Sequence, residues 1–504
     1  MKWSLICFFL AKGLAAKAAE EYREELTLPV PRAPGSLGTD DISQHYTIFP
    51  LALGQILREH AIPEFHLTMN SGKWDYDRWG YPGEAGVGSG AELWAWMGDG
   101  AQKSIDERWK ELQNSLSGLF CASLGNMDNL HTTSPTRIFP PTGHLPRLTP
   151  PHTHSLRHAT LPAERVCTEN LTPFLKLLPC TARAGIAALL EPHRIFDADW
   201  HGLGVHVRWL ARSGVELTLT VQAVLDPVRT SAERRRDWTL RSLFDRTIPH
   251  ACHIASSSVV RIMLPSSSEV GAYTLTPEPE TLDDQAGFAV YDLTNGECTQ
   301  KRSTFQALDV SSLADLSIRR TLKGSSQTHG VLSIVIRNNQ PVTIRTHYLE
   351  TMPWHVEFFL HTLRVSCGDG TNCDYLFTNM TYTPSQPHAN PALLQATLEV
   401  PPLETLHLSL RVRKVFLRYT EHPPDAQRGW DLPPAVFVPV DAPHRRIYTS
   451  ALLVDLATPD FSMPYNVIIM SSTLIALIFG SLFNMLIRRF VLIKVDEVDE
   501  RVNR

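Results

Sequence analysis

The sequence predicts a mainly β protein: lumenal β-sandwich-like modules with a few helices, then one C-terminal transmembrane helix. Three observations carry this expectation. Several stretches alternate apolar and polar residues with a period of two, and 36 prolines punctuate them. An uncharged apolar run, Tyr465–Ile487, lies close to the C-terminus.

The alternation is clearest in three places. Val215, Leu217, Leu219 and Val221 alternate with Glu216, Thr218, Thr220 and Gln222. Leu406, Leu408, Leu410 and Val412 alternate with His407, Ser409, Arg411 and Arg413, and Leu394, Ala396, Leu398 and Val400 form a third stripe. Successive side chains of a strand point to opposite faces, so these read as half-buried antiparallel strands with one wet face. Residues 331–336 and 342–346, with Asn338-Asn339 between them, predict a hairpin whose turn the asparagines supply. The clearest helix is expected over 103–121, where Ile105, Trp109, Leu112, Leu116 and Leu119 make one apolar face for core packing. A shorter helix is expected over 51–60. Residues 126–158, rich in Thr, Pro and His without periodicity, read as a long exposed loop.

The chain has 504 residues, enough for two large lumenal modules, placed at 19–250 and 251–464. With 47 Lys+Arg against 52 Asp+Glu its net charge is −5, and no basic stripe suits nucleic acid. Residues 1–18 read as a cleaved signal peptide: Lys2, an apolar core over 3–11 too short to span a bilayer, then Ala16-Lys17-Ala18. Tyr465–Ile487 contains 23 residues, and a helix rising about 1.5 Å per residue is then long enough to cross a bilayer. Arg488, Arg489 and Lys494 follow it, whereas 447–464 contain no Lys or Arg. The positive-inside rule then makes 488–504 a cytosolic tail and leaves the preceding chain lumenal. A signal for GPI attachment ends at its apolar stretch; this chain continues, which favours a retained single-pass type I anchor. Asn466, Ser471, Ser472 and Asn484 within the span are expected to hydrogen-bond to neighbouring helices.

Beyond the signal lie seven cysteines, Cys121, Cys167, Cys180, Cys252, Cys298, Cys367 and Cys373. In an oxidising lumen an odd number leaves at least one free or paired with another chain. Gly368, Gly370 and Asn372 give the segment between Cys367 and Cys373 the flexibility to close on itself. Asn170-Leu-Thr172 and Asn379-Met-Thr381 fit the N-glycosylation pattern, and both are expected on exposed surface.

Candidate chemistry is sparse. His144, His152, His154 and His158 lack the short fixed spacings of a zinc site, so no metal is expected. The basic run at 234–236 reads as a solvated face. His201-Gly202 precedes Cys252 by 51 residues, the arrangement of caspase-like cysteine proteases. Cys252 lacks the Gln-Ala-Cys-x-Gly turn that would build an oxyanion hole, and no Gly-rich phosphate loop or Gly-x-Ser-x-Gly elbow occurs. No catalytic residue and no cofactor is therefore expected. Two alternatives stand beside that reading: a stand-alone lumenal cysteine hydrolase using His201 and Cys252, and a type I cell-surface adhesion or receptor protein.

Longer motifs add a resemblance. Gly90-Ala-Glu-Leu-Trp-Ala-Trp-Met97, Asp106-Glu-Arg-Trp-Lys110, Leu116-Ser-Gly-Leu-Phe-Cys-Ala-Ser-Leu124 and Val166-Cys-Thr-Glu-Asn-Leu-Thr-Pro-Phe174 resemble the PIG-T type subunit of GPI transamidase. So do Lys176-Leu-Leu-Pro-Cys180, Tyr348-Leu-Glu-Thr-Met-Pro-Trp354, Pro423-Pro-Asp-Ala426 and Thr458-Pro-Asp-Phe-Ser-Met-Pro-Tyr-Asn-Val-Ile468. The sequence departs from the family pattern at Cys298, at Cys367 and Cys373, and in its short tail. The resemblance implies a non-catalytic scaffold subunit of the endoplasmic-reticulum complex that transfers precursor proteins to a GPI anchor. Its implied partners are a disulfide-linked caspase-like catalytic subunit, the complex's other membrane subunits, and by contact the GPI lipid and the precursor. Cys180 is the residue implied for the intersubunit bridge, with an intrachain bond to Cys167 as the local alternative. Six cysteines then remain for internal pairs. Cys121, Cys167, Cys252 and Cys298 keep three connectivities open, with Cys121–Cys167 favoured.

Overall fold

The computed structural model describes residues 18–28, 49–83, 88–99, 102–148, 150–180, 184–210, 214–226, 229, 238–263, 272–276, 278–283, 288–293, 303–306, 314–324, 326–422, 429–457 and 462–487. The expected signal peptide, Cys298, the 234–236 run and the cytosolic tail fall outside these, apart from Ala18. The fold is mainly β, with one compact unit holding most of the chain and a second comprising 417–427 and 457–504.

The N-terminal module is built on strands β1 (Ala18–Leu28), β2 (Glu64–Ser71), β3 (Gly90–Gly98), β4 (Thr132–Thr133), β5 (His154–Leu161), β6 (Trp200–Leu210) and β7 (Gly214–Leu225). Next come β8 (Trp238–Thr239), β9 (Ser257–Met263), β10 (Ala272–Thr276), β11 (Thr281–Asp283), β12 (Phe288–Asp292) and β13 (Ser303–Gln306). Ten of these form one antiparallel sheet in the order β11-β12-β9-β1-β7-β6-β2-β3-β5-β4, and β13-β10-β8 form a small second sheet. The module boundary expected at 250 falls inside the large sheet, because β9 pairs with β1 and carries β12 and β11 with it.

Helices α1 (Leu51–Glu59), α2 (Tyr76–Trp79), α3 (Ile105–Phe120), α4 (Thr168–Leu177), α5 (Pro192–Phe196) and α6 (Leu240–Phe244) accompany this sheet. In α3, Trp109, Leu112 and Leu116 are buried, as the apolar stripe requires, and pack with Phe65, Leu67, Leu93, Leu203 and Leu219 in one core. Ser104 and Glu107 close a capping box at its start, with hydrogen bonds of 3.0 and 3.2 Å between side chain and backbone.

The expected wet face of β7 is absent. Glu216, Thr218, Thr220 and Gln222 are buried along with their apolar neighbours, and every residue of the strand is buried. The same holds in β2 and β3 for Glu64, His66, Thr68, Asn70 and Glu92. This polar face meets the rest of the unit rather than water. Glu92 accepts from the Tyr448 hydroxyl at 2.8 Å and lies 2.9 Å from the His158 ring. The Tyr76 hydroxyl accepts from the Tyr448 amide at 3.0 Å, and the Arg446 guanidinium lies over the rings of Trp94 and Phe139. Part of the stretch read as a loop is therefore structural: His154 and His158 belong to β5, and the Thr142 and Gly143 amides donate to Glu64 at 2.7 and 2.9 Å.

The C-terminal module is a sandwich. Its strands are β14 (Leu316–Lys323), β15 (His329–Asn338), β16 (Ile344–Met352), β17 (Val356–Phe358), β18 (Arg364–Cys367), β19 (Phe377–Thr383), β20 (Ala392–Val400) and β21 (Thr405–Lys414). β22 (Trp430–Leu432), β23 (Val436–Pro439), β24 (Ile447–Tyr448) and β25 (Leu452–Val454) complete it. One sheet runs β14-β15-β21-β17, with β18 also on β21; the other runs β19-β20-β16-β23-β24, and β22 pairs β25. In β21 the leucines and Val412 are buried while His407, Arg411 and Arg413 are exposed, the alternation read from sequence. The expected hairpin does not form: β15 pairs with β14 and β21, whereas β16 pairs with β20 and β23. Asn338 is the reason. Its side-chain amide donates to the carbonyls of Val342, Val400 and Pro401, steering the chain from one sheet to the other.

Between the two sheets Arg320 of β14 pairs with Glu350 of β16, both side chains fully buried. The Tyr348 hydroxyl donates to the other Glu350 oxygen at 2.9 Å, and Arg320 also donates to the Pro433 carbonyl at 2.9 Å. Burial pushes the Glu350 carboxyl above its ordinary range, opposed by the Arg320 charge.

In the second unit, α7 (Ser462–Ile487) includes the Tyr465–Ile487 segment, with mean hydropathy 2.0. Its Ser471 and Thr473 hydroxyls donate to the Ile468 and Ile469 carbonyls of the same helix at 3.0 and 2.8 Å, as does Ser472 to Ile468. The serines expected to bond neighbouring helices are thus satisfied locally, because a hydroxyl one turn on reaches the helix's own carbonyl.

A test follows from the buried ion pair. Arg320→Leu leaves Glu350 without its cation and is expected to cost roughly 3–5 kcal/mol in unfolding free energy. Arg320→Leu/Glu350→Leu is expected to recover most of that loss. Thermal unfolding of the full chain in detergent distinguishes the two.

Candidate functional site: the helix-end thiols and the bridged cysteines

The cysteines divide into two groups. Cys180–Cys252 and Cys367–Cys373 are disulfides, with Cα separations of 5.9 and 5.8 Å, whereas Cys121 and Cys167 are free and exposed. The short Cys367–Cys373 loop closes as its glycines and Asn372 suggest. Cys180, implied by the resemblance for the intersubunit bridge, is bonded to Cys252 in this single chain. Cys121 and Cys167, favoured as a pair, are both unbonded. The Cys180–Cys252 pairing has a local cause. Spacing along the chain says nothing of the backbone bridge that holds Gly185 to His250 by a 3.0 Å hydrogen bond and draws the two segments together.

The free thiols sit at adjoining helix ends. Cys121 follows α3 in the left-handed conformation, with φ 52°, and Cys167 is the residue preceding the first turn of α4. Asn170 joins them. Its Oδ1 accepts from the Cys167 amide at 2.8 Å and lies 3.3 Å from the Cys167 sulfur. Its Nδ2 donates to the carbonyls of Phe120 at 2.9 Å and Cys121 at 3.3 Å. One side chain therefore caps the start of α4 and closes the end of α3, satisfying donors and acceptors that a helix leaves open at both termini. Asn170 is accordingly buried, correcting the expectation that its sequon is exposed. The nitrogen that would carry a sugar is already committed. Asn379 is exposed, as expected. The sequence signal for the Asn170 role was available: an Asn three residues after a polar helix-start residue.

The candidate hydrolase pair fails chemically. Cys252 is fully buried and its sulfur is in a disulfide, so it offers no thiolate. His201, in β6, lies edge-on to Phe196 at 5.2 Å, and neither ring nitrogen has a hydrogen-bond partner. Burial holds its pKa down to about 4. Of the other histidines, His154 bonds the Pro146 carbonyl at 2.7 Å, His158 bonds Glu92, and His152 lies 3.8 Å from Asp99. Among the described residues none gathers with other ligands into a metal-binding group. His66 stacks on Trp94 and bonds Glu64 at 3.3 Å; burial brings its pKa to about 4. Burial disfavours the Glu64 charge, but the bonds from His66, Thr142 and Gly143 hold its carboxyl below the ordinary range.

Two outcomes are expected. Asn170→Ala strips partners from two buried carbonyls and an amide, and is expected to cost about 1–3 kcal/mol of stability, read as a lowered Tm. The second concerns acid. His66 and His201 take up protons near 6.5 when unfolded but only near 4 when folded. The unfolded chain then binds more protons below 6.5, so stability is complete above that pH and is lost as pH falls from 6.5 to 4. Each tenfold gap in proton affinity is worth about 1.4 kcal/mol. His201→Leu is expected to flatten the fall of Tm across that window.

The family described as "Gpi16 subunit, GPI transamidase component" matches residues 6–237 and 230–504. The mouse GPI-anchor transamidase component PIGT is 33% identical over 95% of this chain and 91% of its own length. The human protein of the same name is 32% identical over 96% and 94%, and the fission-yeast PIG-T homolog 32% identical over 88% and 83%. The chain belongs to the Gpi16/PIG-T family of GPI transamidase components.

Proposed function

We propose that this chain is a non-catalytic scaffold subunit of a GPI transamidase. It is held in the endoplasmic-reticulum membrane by α7 as a single-pass type I protein, with its β modules in the lumen and its C-terminus in the cytosol. The observation that carries the reading is family membership along nearly the whole chain. The sequestered Cys252 supports it, since the cysteine matching a protease-like arrangement cannot act. The chemistry of cleavage and transfer then belongs to a partner, a caspase-like subunit with its own thiol. Fixing that thiol at the membrane beside a lipid-linked amine lowers the orientational cost of a two-substrate reaction. Other membrane subunits, the precursor and the GPI lipid are the remaining partners of this assembly. Asn466 and Asn484 are the polar side chains of α7 that this reading gives to helix or glycolipid contact.

A covalent link to the catalytic partner calls for an exposed, unpaired sulfur. Cys121 and Cys167 meet that requirement and Cys180 does not. On non-reducing electrophoresis the full chain is expected in a higher-mass adduct that Cys180→Ser leaves in place. Cys167→Ser or Cys121→Ser is expected to remove it. Loss of the adduct with Cys180→Ser alone would return the bridge to Cys180. For the role itself, cells lacking this chain should lose GPI-anchored surface proteins, and His201→Gln should restore them fully. An assembled complex inactive with His201→Gln would revive the hydrolase reading.

A further inference from the structure

Strand β19 lies at the end of its sheet and pairs only with β20 among the described residues. Its outer side is an edge of the sheet with no further strand among the described residues, the kind of surface that recruits a strand from another chain. Natural edges are blunted by charge, proline, brevity or a bulge. The other sandwich edges follow that pattern: β14 carries exposed Arg319 and Lys323, β24 has two residues, and β17 and β18 have three and four. β19 has seven residues, Phe-Thr-Asn-Met-Thr-Tyr-Thr, rich in β-formers and without charge or proline. Met380 on it is 48% exposed. What β19 does carry is a bulge, where the register with β20 shifts between Thr378 and Thr381. Asn379 stands in that bulge at φ 50°, a left-handed conformation that asparagine tolerates, and Arg137 donates to its carbonyl.

We propose that Asn379 carries an N-linked glycan and that this glycan protects the β19 edge from strand addition. The inference rests on the lumenal placement argued above. In the modification the Asn379 Nδ2 attacks the anomeric carbon of an oligosaccharide held on a diphospho-lipid donor. The C1–N bond forms, the C1–O bond to the diphosphate breaks, the lipid diphosphate leaves, and one amide proton passes to a base of the transferase. Asn379 and Thr381 flank an exposed Met380, so the acceptor is open to such an enzyme, whereas Asn170 in the folded chain is not. The attached sugar is large, hydrophilic and mobile. It does at this edge what lysine does at β14.

The experiment uses the full chain expressed in membranes and treated with peptide N-glycosidase. One downward step in mass is expected, absent in Asn379→Gly, which keeps the backbone conformation, and retained in Thr381→Ser, which keeps the acceptor pattern. By size-exclusion in detergent, Asn379→Gly is expected to self-associate, and Asn379→Gly/Met380→Lys to return to the wild-type profile. No step at all would overturn the proposal together with the lumenal reading. A step that survives Asn379→Gly and is lost with Asn170→Gln would overturn the proposal alone. An Asn379→Gly protein with an unchanged profile would overturn the protective role.

Discussion

A carboxylate on the inner face of the large sheet, Glu92, holds the principal unit together. It accepts from His158 within its own sheet and from Tyr448 of the sandwich, both bonds being buried. A sheet with one apolar and one polar face ordinarily leaves the second to water. Here the polar face is roofed by the sandwich and the 134–148 segment, so each buried polar group on it needs a protein partner. Glu64 takes the Thr142 and Gly143 amides, and the Tyr76 hydroxyl takes the Tyr448 amide. Without these bonds the roof would cover unsatisfied polar groups.

That roof also shows what the sequence could and could not convey. Period-two alternation located β7, β20 and β21 and identified which side chains face the core, because strand geometry is local. It assigned Glu216, Thr218, Thr220 and Gln222 to water because alternation reports polarity, not what lies opposite. The helix over 105–120 was legible from its stripe and its Ser104–Glu107 cap. The hairpin at 331–346 was not, since Asn338 can serve a tight turn or a crossing between sheets, and only its distant partners, the Val400 and Pro401 carbonyls, decide. Of the site, the absence of a protease-like turn around Cys252 was visible in sequence. Its bond to Cys180 depended on contacts across 72 residues.

The thiol arrangement has a division of labour. The Cys180–Cys252 bond reaches into the module's interior, where Cys252 is wholly buried, and closing a long loop in this way removes disorder chiefly from the unfolded chain. The unbonded ones sit outside, at helix ends fixed by one asparagine. Asn170 bonds to the backbone at both helix ends and so holds the two exposed sulfurs on one fixed base.

The same pairing bears on how the chain matures during synthesis. Cys121, Cys167 and Cys180 all emerge from the ribosome well before Cys252, the native partner of the third. Any bond formed in order of appearance joins the wrong sulfurs, and one such bond would consume a thiol meant for the surface. Correct assembly therefore requires Cys180 to remain reduced, or to be reshuffled by an isomerase, until β9 has found β1. The order in which the sulfurs appear along the chain is thus not the order in which they pair, and the Cys180–Cys252 bond waits on the fold rather than on synthesis.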